Sequence, residues 1–316
     1  MAKPTEKITL GIDVAKDQVV IHHWQFDKSI TLDNQPETLR DWFRTLCGPV
    51  RLAVEPTSHY HLTVVEAALA EGFDIYLVNP RQLVHYRQAV NVRNKTDPQD
   101  AWLLARYLEH EAAQLRPFRP QSRQAQQLWA LITRRAAVVQ SRQQMQQSFA
   151  EVSLSIEGLL TKFQELLRRI DRQILRLLRE LGWEADYQRC RSIPGIGAGN
   201  AAALAVSYHR GAFGGSDAFV AYLGLDIRLR ESGRYKGQAK LTKQGAPELR
   251  RLLYCASHPA RSHPRFAEYY QRQLDKGMSK IAARVALARK LARIAFTLMS
   301  RQETFQTGDK NYCMGP

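Results

Sequence analysis

Two aspartates stand three residues apart where a helix is expected to begin, in the stretch Asn-Lys-Thr-Asp-Pro-Gln-Asp-Ala of residues 94–101. Pro98 suits the first helical position, and Asp97 just before it suits the N-cap. Side chains three apart share a helix face, so Asp97 and Asp100 can together hold a hard cation such as Mg²⁺. A capped helix with a second acid favoured by the helix dipole explains the same residues without a metal. The spacing alone leaves both interpretations open.

Two more acids are expected at the ends of strands. Asp13 lies near the end of the apolar, β-prone run 8–14, and Glu55 follows the short apolar run Leu-Ala-Val. An acid at the end of a buried strand is costly unless it is paired or bound to a metal, although Glu55 can also simply face solvent before a loop. Neighbouring strand ends and a nearby helix tip can bring all four carboxylates to one edge of a sheet.

The elements that must position these acids follow from the pattern of apolar residues. Strands are predicted at 8–14, 19–26, 29–33, 51–55 and 74–78, and helices at 37–46 and 61–71. Asp17-Gln18 and Asp27-Lys28 are the expected hairpin turns between the first three strands. A three-stranded meander followed by alternating helix and strand predicts a mixed sheet with helices packed on it.

Charge divides the 316-residue chain into two unlike parts. Residues 1–115 hold 12 Lys/Arg and 15 Asp/Glu, whereas the remainder holds 34 Lys/Arg and 15 Asp/Glu. An acidic front and a basic rear predict a metal-binding part and a part that grips nucleic acid. No apolar run is long enough to span a bilayer, and no signal-peptide core precedes the first strand. The four cysteines are scattered, which indicates reduced thiols and therefore a cytoplasmic protein. Without a long apolar run, we also expect no membrane partner.

The middle of the chain is predicted to form long helices after a linker at 116–120. Eight apolar residues between 156 and 181 repeat with alternating spacings of four and three, which is typical of a coiled coil or a helical hairpin. Five arginines lie off this seam: Arg168, Arg169, Arg172, Arg176 and Arg179. They form either a solvated face or a surface that contacts RNA or DNA.

Two glycine-containing stretches of the basic half point to phosphate contact. In 192–201, Gly195 and Gly197 precede a helix in the manner of a helix-hairpin-helix motif, where the backbone can approach a phosphate; a flexible turn is the alternative. Residues 228–251 hold 8 Lys/Arg and 2 Asp/Glu and are predicted to be a loop that binds phosphate. Its candidate contacts are Arg228, Arg230, Arg234, Lys236, Lys240 and Lys243. A final basic amphipathic helix is predicted at 281–299, with a loose tail from Gln302.

Several of these motifs together resemble one protein family. Gly-Ile-Asp, Val-Glu-Pro-Thr-Ser-His-Tyr, Val-Asn-Pro and Asn-Lys-Thr-Asp-Pro-Gln-Asp-Ala look like the RuvC-type, ribonuclease-H-like domain of DEDD insertion-sequence transposases. That is insertion-sequence family one-ten, which includes bridge-RNA-guided recombinases and Piv-type DNA invertases. Glu-Ser-Gly, followed by a basic glycine-rich run and Leu-Arg-Arg-Leu-Leu-Tyr, resembles the transposase domain of the same family. The resemblance covers nearly the whole chain.

The resemblance implies a site and an architecture. Asp13, Glu55, Asp97 and Asp100 match the four metal-binding acids, with Mg²⁺ as the implied cofactor, and Ser232 falls on the catalytic serine. Without the resemblance, Ser232 would rank only as a turn residue. The expected fold is α/β plus α: a ribonuclease-H-like mixed-sheet domain at 1–115, a helical coiled-coil segment at 116–187 and a mostly helical, basic transposase domain at 188–316.

The expected function is that of a DNA recombinase which forms a phosphoserine intermediate on Ser232. Its implied partners are donor and target DNA, a noncoding bridge RNA, and further copies of the chain in a dimer or in a tetramer built as a dimer of dimers. Three alternatives stay open at this point. They are a metal-dependent junction resolvase or nuclease that uses water, an invertase that works without RNA, and a non-catalytic nucleic-acid-binding protein.

Overall fold

A computed structural model describes residues 7–56, 58–94, 96–228, 231–232, 235–237 and 240–306 of the chain. Two units with separate cores make up the protein, one at 1–120 and the other at 121–316. The first holds the mixed sheet, and the second is mostly helical. The predicted division into three domains, with 116–187 as a separate assembly segment, stays a prediction.

The first unit is built on a five-stranded sheet with the strand order β3-β2-β1-β4-β5. The first three strands form the antiparallel meander, while β1, β4 and β5 run parallel. The strands are β1 (Ile8–Val14), β2 (Gln18–His23), β3 (Lys28–Asp33), β4 (Val50–Val54) and β5 (Asp74–Leu77). The helices are α1 (Pro36–Arg44), α2 (His61–Ala70), α3 (Pro80–Ala89) and α4 (Asp97–Glu111). The predicted ribonuclease-H-like fold is confirmed.

Alternation along β1 divides the sheet into two faces. Leu10 and Ile12 belong to the core under α1 and α2, which also contains Phe43 and Val64. Successive side chains of a strand point to opposite faces, so the residues between them turn toward α4. A second, smaller core on that side joins β4 and β5 to α3 and α4. The sheet is therefore covered on both faces, and α4 covers the centre of one of them.

The second unit gathers its helices around one core. Its elements are α5 (Arg123–Ser148), α6 (Glu157–Glu180), α7 (Glu184–Arg191), α8 (Ala198–Arg210), α9 (Ser216–Tyr222), α10 (Pro247–Ala260), α11 (Pro264–Asp275) and α12 (Lys280–Arg301). Helices α5 and α6 pack against each other as a helical hairpin. The later half of the predicted seam, from Ile170 to Leu177, is buried in the same core as α12, whereas its earlier residues are only partly buried. Among the described residues, no helix is both long and apolar enough to cross a bilayer.

Several local predictions for the first unit need correction. The second strand ends at His23 rather than at 26, because Trp24–Phe26 turn as a short 3-10 helix closed by Asp27 at φ 50°. Helix α3 was not predicted, although Asn79 caps it by accepting a hydrogen bond from the Arg81 amide at 2.9 Å. Helix α4 includes Asp97, and its N-cap is Thr96, so the predicted cap was one residue late. The two aspartates keep their shared face because their spacing is unchanged.

Two predictions for the second unit also need correction. The stretch predicted as a loop contains four short strands, β6 (Ile227–Arg228), β7 (Glu231–Ser232), β8 (Tyr235–Lys236) and β9 (Lys240–Leu241). Strand β6 pairs with β9 and β7 with β8, so the stretch is a β-arm. The tail is also not loose directly after Gln302, because the Phe305 amide donates to Ser192 Oγ at 2.8 Å and its ring packs near Phe266. Residues 307–316 lie outside the described part of the chain.

Candidate active site

A close approach of α4 to the centre of β1 positions the site. A Cβ atom added at Gly11 would lie 1.9 Å from the Ala101 carbonyl oxygen and 2.3 Å from the Ala105 amide nitrogen. Only glycine leaves room for the helix backbone at this point. Asp13 lies two residues further along the same face, so the contact at Gly11 brings the start of α4 beside it.

The opposite end of this helix is fixed to the same strand by polar contacts. Thr9 Oγ1 donates to Glu109 Oε2 at 2.7 Å, and Arg51 donates to both of them, to Thr9 Oγ1 at 2.8 Å and Glu109 Oε2 at 2.7 Å. All three side chains are at least partly buried, which strengthens a charged hydrogen bond. Together with Gly11, this triad sets the position of α4 along β1.

Asp13 and Glu55 reach the same edge because their strands are parallel. Ile12 lies opposite Val54 in the β1–β4 ladder, and each acid is the next residue along the chain. The carboxyl ends of neighbouring parallel strands therefore present both acids together. Asp13 is half-buried, and Glu55 lies just past the end of β4.

The remaining two acids come from the first turn of α4. The Asp100 amide donates to the Thr96 carbonyl at 2.9 Å, which closes that turn. Asp97 is exposed, whereas Asp100 is buried. A helix N-terminus attracts negative charge, so both positions favour carboxylates even before any ion binds.

Three of the acids are close enough to Asp13 to perturb its pKa. The pKa of Asp13 is raised from 3.8 to about 6, first by burial and then by the negative charges of Asp100, Asp97 and Glu55. A hydrogen bond with the backbone of Val14 acts in the opposite direction. Burial and like charge both disfavour a carboxylate, and a bound cation would reverse that balance. The four sequence-predicted acids are thus brought together at one edge of the sheet.

Asp100 also has a positive partner that the sequence analysis missed. Arg87 of α3 donates to Asp100 Oδ1, and through its other terminal nitrogen to the Asn94 carbonyl at 3.2 Å. Both charged side chains are largely buried. The arginine therefore neutralises one of the four acids and ties the connection between α3 and α4.

The donor set fits a hard divalent cation. Carboxylate oxygens are the ligands that Mg²⁺ prefers, and three of the four acids in the cluster add to the negative potential at Asp13. Within the described ranges, however, no three His, Cys, Asp or Glu side chains already stand at ligand distances from a common point. The arrangement is an acidic edge whose chemistry suits a cation.

Replacing Gly11 by alanine tests how α4 is held. We expect Gly11→Ala to lower the free energy of unfolding by about 3 kcal/mol, the upper end for overpacking, because backbone atoms of α4 must move away from β1. Denaturant melts followed by circular dichroism measure this loss. Gly158→Ala is the matched control, since nothing lies within 4 Å of its added methyl group. Equal stability of Gly11→Ala and the wild-type chain would contradict the close packing.

The crowding at Asp13 predicts a dependence of stability on pH. A carboxyl whose folded pKa is raised from 3.8 to about 6 stabilises the fold only while it is protonated, so this contribution is lost as pH rises through about 6. In chelator, Asp13→Asn should therefore melt at a higher temperature than the wild-type chain at neutral pH. The difference should vanish below pH 3.8, where both side chains are neutral.

Thermal melts over that pH range measure the effect, with Asp74→Asn as the control. Asp74 is an exposed acid of the same sheet that pairs with Lys7 at 2.8 Å, so its replacement should bring no gain at neutral pH. An Asp13→Asn variant no more stable than the wild-type chain would show that the neighbouring acids do not repel Asp13.

In the second unit, Ser232 lies in β7 near the outer end of the β-arm. It faces Tyr235 across the β7–β8 pair, and Glu231 faces Lys236. Two glycines close the base of the arm: a Cβ at Gly224 would meet the Gln244 carbonyl at 2.5 Å, and one at Gly245 would meet the Tyr222 carbonyl at 2.7 Å. The φ angle is +74° at Gly224 and +104° at Gly245, and both values suit glycine. The backbone on the two sides of the base is therefore closely packed at these glycines.

The predicted phosphate contacts are spread over this arm and the turn before α8. Arg228, Lys240 and Lys243 are exposed, Lys236 belongs to β8, and Arg230 and Arg234 lie outside the described residues. Gly195 has φ +90°, and its Cβ would meet the Ala260 side chain at 2.7 Å, so packing on α10 already requires a glycine there. Gly197 precedes α8 and has open space around it. Their contact with nucleic acid stays a prediction.

The contacts that support the acids were not found from the sequence. Gly11 carried a signal, because Gly-Ile-Asp places a residue without a side chain on the face that Asp13 shares. Arg87 carried no such signal in the sequence, because helix α3 itself was not predicted. Thr9, Arg51 and Glu109 meet only after folding, because the sequence separation is 42 for the first two and 58 for the last two.

Family models match both parts of the chain. A model for DEDD transposases of the IS110 type, described as transposase, matches residues 10–153. A second, described as transposase of the IS116/IS110/IS902 family, matches residues 187–271. The two models lie in the order that the sequence motifs predicted.

Curated relatives match along almost the entire chain. The pilin gene-inverting protein of Moraxella lacunata is 27% identical over 320 residues, which covers 95% of this chain and 98% of the relative. The protein of the same name from Moraxella bovis is 27% identical over 323 residues, with the same coverage. Among solved structures, T. thermophilus RuvC in complex with a Holliday junction substrate matches 36% of this chain and all of that chain, at 12% identity and a TM-score of 0.27.

Proposed function

Because the chain belongs to the IS110-type transposase and recombinase family, we propose that it cuts and rejoins DNA through a phosphoserine intermediate on Ser232. Membership of the family by itself supports the broader function, which is that of an enzyme of DNA transposition or inversion. One observation carries the finer proposal. Asp13, Glu55, Asp97 and Asp100 lie at one edge of the sheet, where burial and then the charges of the other three acids raise the pKa of Asp13 to about 6.

Asp13, Glu55, Asp97 and Asp100 are the proposed ligands of a divalent cation, which we propose is Mg²⁺. When bound, such an ion polarises a phosphate oxygen and lowers the pKa of an attacking oxygen. The chain's own contribution is to hold the acids in place, through the contact at Gly11 and the hydrogen bonds of Thr9 and Arg51 to Glu109. Arg87 keeps Asp100 oriented from the α3 side.

The serine step conserves the energy of the phosphodiester bond in a covalent link to the protein. Ser232 Oγ loses its proton and forms a bond to phosphorus, while the bond from phosphorus to one DNA oxygen breaks and that oxygen takes up a proton. A hydroxyl of the partner DNA strand then loses its proton and bonds to this phosphorus, while the bond to Ser232 Oγ breaks and Oγ takes up a proton. Rejoining therefore needs no ATP. Arg228, Arg230, Arg234 and Lys236 are proposed to balance the charge of the transition state. Lys240, Lys243 and the turn with Gly195 and Gly197 are proposed to bind the DNA backbone.

A bridge RNA and an oligomer are also part of the proposal, and both rest on the family resemblance. The relatives that match along nearly the whole chain are named for gene inversion, which keeps an invertase that works without RNA as an alternative. Sequencing the nucleic acid that copurifies with the chain separates these alternatives. A single abundant noncoding RNA would support guidance by RNA, and its absence from active protein would exclude it.

A metal-dependent junction nuclease is the rival function, because the acid cluster alone would support hydrolysis by water. The two functions differ in their products. We expect the purified chain, given Mg²⁺, DNA with recombination sites and any copurifying RNA, to yield rejoined strands. Products that are cut but never rejoined, with free phosphate or hydroxyl ends, would favour the nuclease. Binding with no cutting at all would favour a non-catalytic protein.

A further inference from the structure

A group of cations surrounds one tyrosine between α11 and α12. Lys290 Nζ lies 4.3 Å from the centre of the Tyr269 ring. Burial raises the pKa of the Tyr269 hydroxyl, whereas the positive charges of Arg293, Arg289 and Arg272 lower it. The phenol is therefore half-buried and close to three guanidinium groups. We call these five residues the α12 cation cluster.

Arg289 is the unusual member of this cluster. Its Nε atom is buried and has no hydrogen-bond partner in the part of the chain that the structure describes. Burial and then the charge of Arg293 lower its pKa, and the acids Asp226 and Asp217 offset this only in part. An unsatisfied, partly desolvated cation is unfavourable for folding. Such a group is expected where an anionic ligand supplies the missing contacts.

The neighbouring acids do not fill this role. Asp217 is exposed and is engaged by Arg293 at 2.9 Å. Asp226 accepts a hydrogen bond from the Ile227 amide at 2.8 Å through its carboxylate, and one from the Thr242 amide at 2.9 Å through its carbonyl. Helix α12 itself contains no Asp or Glu among its 22 residues. The cluster therefore keeps a positive excess.

Asp226 also locates the cluster relative to the β-arm. The hydrogen bond from the Thr242 amide to the Asp226 carbonyl joins the two strands at the base of the arm, just before β6 and just after β9. Because Asp226 is close enough to affect the charge of Arg289, the cluster lies beside the base of the arm that carries Ser232. Helix α12 lies beyond residue 271, where the second family match ends.

We propose that the α12 cation cluster binds a backbone phosphate of the DNA strand that the β-arm engages, with Arg289 and Tyr269 as hydrogen-bond donors. The proposal rests on the proposed function for its choice of DNA. A guanidinium presents several N–H groups in one plane, which suits phosphate oxygens, and the charge of a phosphate would offset the positive excess around Arg289. The bound anion would also relieve the repulsion between Arg289 and Arg293.

Replacing Arg289 by glutamine separates a binding role from a structural one. In the full chain, with a fluorescent DNA duplex and chelator to prevent cutting, we expect Arg289→Gln to weaken binding roughly tenfold. The slope of log affinity against log salt should become shallower by about 0.9, because one phosphate contact is lost. The melting temperature should not fall, since the variant removes a half-buried, repelled charge. Arg301→Gln, an exposed arginine of the same helix, is the control and should leave the slope nearly unchanged.

A wild-type slope in well-folded Arg289→Gln would overturn the proposal, and so would a loss confined to an RNA duplex of the same sequence. If Arg289→Gln does not fold, Arg293→Gln decides, because its exposed pair with Asp217 contributes little to stability. An unchanged salt slope of DNA affinity in Arg293→Gln would equally overturn the proposal. Since binding is measured without catalysis, a chain that binds through the cluster but never rejoins DNA would refute only the proposed function.

Discussion

Ser232→Ala should abolish strand rejoining and every covalent protein–DNA product while leaving DNA binding intact. A serine hydroxyl is the only group lost, and the proposed mechanism assigns the nucleophilic oxygen to Ser232. The expected loss in rate is at least about four orders of magnitude, or ~5.4 kcal/mol in the barrier. Ser232→Cys should keep at most a trace of activity.

The measurement compares rejoined products and DNA affinity for the same preparations. Ser262→Ala is the matched control, since Ser262 is an exposed serine in the turn between α10 and α11. It should behave as the wild-type chain in both assays. Rejoining by Ser232→Ala would place the nucleophile elsewhere, and cutting without rejoining would support the junction nuclease.

Asp97→Asn should remove cutting almost completely, by roughly three orders of magnitude or ~4 kcal/mol in the barrier, because an amide is a poor ligand for Mg²⁺. Asp97 is the exposed member of the cluster, so its replacement should not disturb the core. DNA affinity should be unchanged or tighter, since one negative charge near the phosphates is lost.

Glu111→Gln makes the same change of charge at the other end of α4 and is the control for helix stability. Both variants should keep the wild-type melting temperature within about 2 °C, as is usual for surface substitutions. Added Mg²⁺ should stabilise wild-type and Glu111→Gln protein but not Asp97→Asn. Full cutting by Asp97→Asn, or by the wild-type chain in chelator, would remove the metal from the mechanism.

Much of the first unit follows from the sequence because its signals are local. Alternating apolar residues mark β1 correctly at Ile8–Val14, and the strands ending at Val54 and Leu77 were predicted within one residue at either end. A parallel β1–β4 pair then brings Asp13 and Glu55 to one edge with no further information. The approach of α4 could also be anticipated, since Gly11 leaves a gap on the face that Asp13 shares.

What the sequence could not supply depends on distant contacts. Arg87 reaches Asp100 only because α3 packs beside α4. The sequence analysis did not predict α3, because Asn79-Pro80 also suits the end of the preceding strand. The glycine-rich basic stretch looked like a loop because its strands are only two residues long and are held by pairing across the arm. Arg289 belongs to the predicted amphipathic helix at 281–299. That its Nε atom is buried without a hydrogen-bond partner among the described residues becomes evident only from the packing of the helices.

The covalent attachment site is the most direct test of the proposed mechanism. Wild-type protein should be incubated with Mg²⁺, substrate DNA and any copurified RNA, denatured, and digested with nuclease and trypsin before mass spectrometry. Trypsin cuts after Arg230 and Arg234, so Ser232 is recovered on the short peptide 231–234. The proposed mechanism predicts a nucleotide attached to this peptide, present with Mg²⁺ and absent from Asp97→Asn and from chelator-treated protein. Active protein that carries no nucleotide, or carries it on another residue, would contradict it.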